Sequence, residues 1–153
     1  MEFITDRTQY HVTLLKRLQN KGWNNMTPSE KLAWRGDAAK GAYNYTDLNR
    51  VESAVAEIAP LFDLSLTTKT DWVLWDIPVK ADMDRYLSNV VEIRDACPGN
   101  VTFPTLPDSM NHLTFQYANN IEKVLEIAYE YVATRSGVLG KGVLGKMVLG
   151  KEL

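Results

Sequence analysis

The chain has 153 residues, 45% of them hydrophobic and 24% charged, which suits one ordinary soluble domain with a buried core and excludes a disordered tail. Seventeen basic against nineteen acidic residues give a formal charge of −2, without the clustered positive charge that sequence-independent binding to nucleic acid requires. A single cysteine, Cys97, excludes an intramolecular disulfide framework and a cysteine-based zinc site, and two histidines, His11 and His112, leave little capacity for metal.

No apolar run reaches the roughly 18 residues of a membrane span, and the N-terminus lacks a basic-then-apolar signal, so neither membrane insertion nor Sec export is expected. The first periodic segment is Thr5 to Lys21, where Tyr10, Leu14, Leu15 and Leu18 recur at steps of three and four and predict one face of a helix. Thr5 or Asp6 is its expected cap, Lys16, Arg17 and Lys21 suit the negative end of its dipole, and Gly22 stops it. Thr27-Pro28-Ser29-Glu30 is a capping box with proline at the first helical position, and it predicts a short helix to Arg35 that Gly36 ends.

Residues 40–47 read as a tight connection, with Gly41 and Asn44 tolerant of positive φ and Thr46 suited to cap a helix running from Asp47. The apolar face of that helix is Leu48, Val51, Val55 and Ile58, and Pro60 must kink or end it. Residues 65–79 gain strand propensity from Trp72, Val73 and Trp75, but Ile77-Pro78 closes the run, so an extended connector or a short strand is expected. The helical pattern resumes from Lys80 as Met83, Leu87, Val90, Val91 and Ile93 and stops at Cys97-Pro98-Gly99. Residues 98–113, with three prolines, read as a surface loop rather than a core element. A final helix follows Thr114, with Ile121, Val124, Leu125, Ala128 and Val132 on its buried side.

Together these elements predict an all-α domain over residues 1–135, a compact bundle of four main helices plus one short helix. Residues 136–153 differ in kind. Gly-Val-Leu-Gly-Lys occurs twice and is followed by Met-Val-Leu-Gly-Lys. Five residues advance a helix by about 140° and reverse the faces of a strand, so neither form gives one copy a persistent apolar side. Two readings follow. In one, this Gly-rich extension forms β-strand on assembly and buries Val138, Leu139, Val143, Leu144, Val148 and Leu149 against other subunits or a partner's sheet edge, so that its deletion spares the helical domain and abolishes assembly. In the other it is a free terminus.

No glycine-rich phosphate loop, Gly-x-Ser-x-Gly elbow or His-Glu-x-x-His helix occurs, so no catalytic, cofactor-binding or metal-binding residue is expected and the chain reads as non-enzymatic. Asp76, Asp82 and Asp84 lack the glycine and terminal glutamate of a calcium loop and suit a solvated helix N-terminus. Cys97 reads as a buried structural thiol. Trp72, Trp75, Tyr43 and Tyr45 are candidates for an aromatic interface or a carbohydrate platform, against the simpler role of plugging the ends of the bundle.

Three strings stand in order behind Trp23 and the Thr27-x-x-Glu30 box. They are residues 40–52, Lys-Gly-Ala-Tyr-Asn-Tyr-Thr-Asp-Leu-Asn-Arg-Val-Glu; Trp75-x-x-Pro78 leading to Asp84-Arg85-Tyr86-Leu87-Ser88-Asn89-Val90; and Leu106-Pro107-x-Ser109-Met110 leading to Asn119-Asn120-Ile121-Glu122. This ordered set, over residues 4–133, resembles a small helical domain of tail-region structural proteins from phages and prophages of Gram-positive bacteria, clostridia especially. Members often end in a short repetitive segment, a place that the Gly-Val-Leu-Gly-Lys copies occupy here with different letters. The resemblance carries no catalytic residue. It implies a component of a virion tail, baseplate or tail fibre, made in the host cytoplasm, contacting other virion or tail proteins and itself as a homo-oligomer. A receptor or cell-wall glycan binding module of a phage tail is the alternative.

Overall fold

The computed structural model describes residues 1–136. Among them are five α-helices: α1 (Gln9–Lys21), α2 (Pro28–Arg35), α3 (Tyr45–Ile58), α4 (Lys80–Ala96) and α5 (Phe115–Ser136). Short 3-10 turns lie at Trp23–Asn25, Ala39–Gly41 and Ala59–Phe62, and no strand occurs among the described residues. The repetitive extension, with Val138, Leu139, Val143, Leu144, Val148 and Leu149, lies outside the described residues.

Helices α3, α4 and α5 pack against one another and make the main core. All four periodic residues of α3, Leu48, Val51, Val55 and Ile58, are buried, and so are Tyr86, Leu87, Val90 and Ile93 of α4. On α5, Ile121, Val124, Leu125 and Ala128 are wholly inaccessible. Burying each large aliphatic side chain contributes about 1.5–3 kcal/mol, more than a helix cap at about 1 kcal/mol, so these stripes dominate the packing. A satellite cluster of Leu14, Leu18, Met26 and Ala38, with Leu15, Ala33 and Trp34 against it, seats α1 and α2. The described part is thus a compact helical bundle.

Several boundaries differ from the periodic reading. Helix α1 begins at Gln9 rather than near Thr5, and Thr8 is its cap. Residues 1–8 are not helical, and Glu122 and Asn119 of α5 engage their backbone: Ile4 N donates to Glu122 Oε2 at 2.7 Å, while Asn119 bonds Arg7 N at 3.0 Å and Arg7 O at 2.8 Å. Tyr10 is 61% exposed and leaves the apolar stripe, since the satellite cluster meets α1 only from Leu14 onward. Helix α3 starts at Tyr45, not Asp47, and its cap is Asn44, whose Oδ1 accepts from Thr46 N at 2.8 Å.

Pro60 ends α3 as required, and the chain leaves through a 3-10 turn into Asp63 at φ 58°. The 98–113 loop is no mere surface connection. Leu106 is buried in the main core, and Val101, Phe103, Met110 and Leu113 pack against it. An unsplit apolar residue beside proline carries no helical period, so its burial is invisible to a periodicity test.

Candidate functional site

Two buried polar clusters fix the elements that carry the exposed features. In the first, Arg7 and Arg50 meet Asp47 and Glu122 where residues 1–8, α3 and α5 converge. Arg7 Nη2 donates to Asp47 Oδ1 at 2.7 Å and to Glu122 Oε1 at 2.8 Å, and its Nη1 reaches Ile4 O at 2.6 Å. Arg50 grips Glu122 through Nε and Nη2 at 2.9 and 2.7 Å and also bonds Asp47. Burial works against the charge of Arg50, but the hydrogen bonds to Glu122 and Asp47 outweigh it and hold its pKa above the ordinary value. Two cations and two carboxylates balance, which is the condition for burying them together. Beside them the Tyr43 and Tyr86 hydroxyls bond each other, and burial pushes both phenols up.

The second cluster anchors the α3–α4 connector. Arg85 holds Glu52 by two bonds, at 2.8 and 2.9 Å, and Glu52 accepts Lys69 N at 2.9 Å. Arg85 and Asn89 both donate to Thr67 O. Asn49 then takes both backbone groups of Trp72, accepting its N–H at 2.7 Å and donating to its C=O at 2.8 Å. Side chains from 62 to 68 alternate between half-buried and exposed as in a strand, with helix side chains in place of a ladder.

Beyond this anchor the connector turns outward. Asp76 N donates to Val73 O at 3.0 Å and Val73 N to Asp76 Oδ2 at 3.0 Å, a closed turn with Leu74 and Trp75 at its tip. Val73, Leu74, Trp75, Ile77 and Val79 are all exposed, Trp75 by 85% and Ile77 by 87%. Helix α4 follows, with Asp82 Oδ2 accepting Val79 N at 3.1 Å.

The four aromatic candidates do not share one surface. Trp72 is buried in the core, Trp75 stands in solvent, and Tyr43 and Tyr45 are half-buried with their rings against the main core. Trp34 packs in the satellite cluster. Trp23 is 42% exposed, with Lys31 Nζ 5.0 Å and the Arg35 guanidinium 5.4 Å from its ring centre. With Leu18, Gln19, Gly22, Met26 and Trp34 it lines an open notch of about 380 Å³ between α1 and α2.

A larger groove of about 440 Å³ lies between α1, the Ala39–Gly41 turn and the start of α5, bordered by Lys16, Lys40, Tyr43, Thr114 and Gln116. Lys40 there is paired with Asp6 at 2.6 Å. His11 serves as a cap, its Nδ1 accepting Thr8 N at 2.9 Å, and His112 sits in a loop at φ 55°. Cys97 is buried with Sγ 3.6 Å from Ile93 O, and burial pushes its thiol up. Among the described residues no group of three or more His, Cys, Asp or Glu is placed to hold a metal ion, and no helix is long and apolar enough to cross a membrane.

Periodicity missed the exposed run and the charged cores. A signal for the first was present: Val73-Leu74-Trp75-Asp76-Ile77-Pro78-Val79 is dense in large apolar residues without helical spacing and is closed by proline. For the second, Glu122 and Asp47 lie among the apolar positions of α5 and α3. Comparison of the chain with family models, with curated proteins and with solved structures gives no match.

Proposed function

We propose that the chain is a non-enzymatic structural component of a phage or prophage particle, in the tail, baseplate or tail-fibre region, and that it works by holding protein neighbours. The observation that carries this reading is the exposed run Val73–Val79. A single exposed apolar residue needs no explanation, but five large ones within seven residues mark a contact surface. Asn49 and Glu52 pin the base of that run, so little order has to be gained when a partner binds. Tryptophan at the tip is the residue type that most often dominates interface energetics. The ordered resemblance over residues 4–133 supplies the kind of particle.

The test is sedimentation of particles from an induced producing strain, followed by mass spectrometry. The chain is expected with the tail proteins after a high-salt wash, and recovery only from the soluble lysate overturns the reading. The exposed indole of Trp75 also suits stacking on a sugar ring, as a cell-wall glycan module would require. Quenching of tryptophan fluorescence by cell-wall fragments, lost in Trp75→Ser, would favour that second reading.

A further inference from the structure

The chain carries a protruding apolar knob and an apolar notch on different elements. The knob is the tip of the 73–79 turn, with Trp75 and Ile77 almost fully in solvent. The notch lies between α1 and α2, walled by Trp23 and Trp34 over Leu18 and Met26, and Gln19 supplies its one amide side chain. At about 380 Å³ it falls in the range of sites that enclose a compact ligand, and one indole with an aliphatic neighbour suits such a space.

Their charges are opposite. From Lys69 to Asp84 four aspartates face two lysines, and Asp71 and Asp76 share the single Lys69 at 2.9 and 3.7 Å. From Lys16 to Arg35 five cations face the single carboxylate Glu30, which Arg17 and Lys21 already occupy. Lys31 and Arg35, at the wall of the notch, have no carboxylate partner among the described residues. A negative knob and a positive notch attract each other between copies.

We infer that the Trp75 knob of one copy seats in the Trp23–Met26–Trp34 notch of the next, so that the chain assembles head to tail with itself. This deepens the proposed structural role and rests on it. The contact joins unlike surfaces, so repetition closes a ring if the rotation per copy permits and otherwise extends a filament. Both sides are needed on each copy for growth beyond a pair.

The full-length chain, Trp75→Ser and Trp23→Ser are compared by light scattering coupled to size exclusion, at low and high salt, with circular dichroism as the check on folding. Both substituted side chains are exposed, so each variant keeps its helix content. The unsubstituted chain is expected to form concentration-dependent oligomers that weaken with salt, and each variant alone is expected to fall to monomer. An equimolar mixture of the variants retains one intact knob and one intact notch and is expected to give a pair that grows no further. A monomeric unsubstituted chain at millimolar concentration overturns the inference, as does an oligomer unchanged by Trp75→Ser, which would place self-association elsewhere on the chain. Either result leaves particle incorporation to be judged by sedimentation, so the two proposals fail separately.

Discussion

The side-chain amide of Asn49 closes a two-bond ring with the backbone of Trp72, accepting its N–H at 2.7 Å and donating to its C=O at 2.8 Å. One helix side chain thus does for the connector what a neighbouring strand would do. It also fixes where the chain leaves the core, because Trp72 is buried and Val73 is already exposed.

Asn49→Ala removes both bonds and leaves two backbone groups of a buried residue without partners, so a loss of about 1–3 kcal/mol in denaturant unfolding is expected. Asn49→Asp keeps an acceptor for the N–H but sets a carboxylate against the C=O, and it is expected to be no better than alanine at neutral pH. The connector should become the first site of limited trypsin cleavage, at Lys69 or Lys80, in both variants. Unchanged stability together with an unchanged digestion pattern would show that Asn49 does not hold the turn.

Glu122 is the hub of the buried charge cluster. It is wholly inaccessible and receives four hydrogen bonds, from Ile4 N, Arg7 Nη2, and Arg50 Nε and Nη2. Glu122→Gln leaves two arginines against the one carboxylate of Asp47, and a loss of about 3–5 kcal/mol is expected, as for breaking a buried pair. Arg7→Met leaves Arg50 alone against two carboxylates, the mirror imbalance, and is expected to cost a similar amount. The double variant should fall short of the sum of the singles, since the groups share partners. Additive losses in urea unfolding would count against a shared cluster.

Long-range bonding of this kind explains what was legible in the sequence and what was not. The Thr27–Glu30 box lies within one turn and forms as read, with Glu30 N on Thr27 Oγ1 at 3.2 Å and Thr27 N on Glu30 Oε2 at 2.9 Å. The stripes of α3 and α5 are equally local, and every strictly periodic position from Leu48 to Ile58 is buried. The start of α1 was displaced because its competitor for the backbone, Asn119, is 112 residues away. Tyr10 followed the period but not the packing. The apolar density of the 73–79 run stands in the sequence, but its exposure and the notch do not: exposure depends on what other elements fail to cover, and no window of the sequence records that.

Glu30 sets a pH dependence. The hydrogen bond from Lys21, at 2.6 Å, and that from Thr27 N hold its carboxyl down to about 2, below its ordinary 4.5. With the folded value depressed, the contribution to stability is complete above the unfolded pKa and is lost as pH falls through the folded one. The junction of α1 and α2 should therefore keep this contribution above about 4.5 and lose it progressively as pH falls from there toward about 2. Carbon NMR of the Glu30 carboxyl should give a midpoint near 2, rising toward the ordinary range in Lys21→Met. A midpoint already at the ordinary value in the unsubstituted chain would remove the bond from the account.

Gly41 is where the Ala39–Gly41 turn meets the backbone of α1. A Cβ at this position would lie 2.3 Å from His11 O, 2.6 Å from His11 C and 2.9 Å from Val12 N, all backbone atoms of the first turns of α1. No rotamer change can relieve such contacts, so α1 or the turn must move. Gly41→Ala is expected to lower stability by about 1–3 kcal/mol, the usual range for overpacking, and to do so by unseating α1 from its contact with the turn. Gly99 is the control, since a Cβ there meets nothing within 4 Å, and Gly99→Ala should leave the thermal midpoint almost unchanged. Equal midpoints for the two variants would mean that α1 does not press on the turn as closely as these distances require.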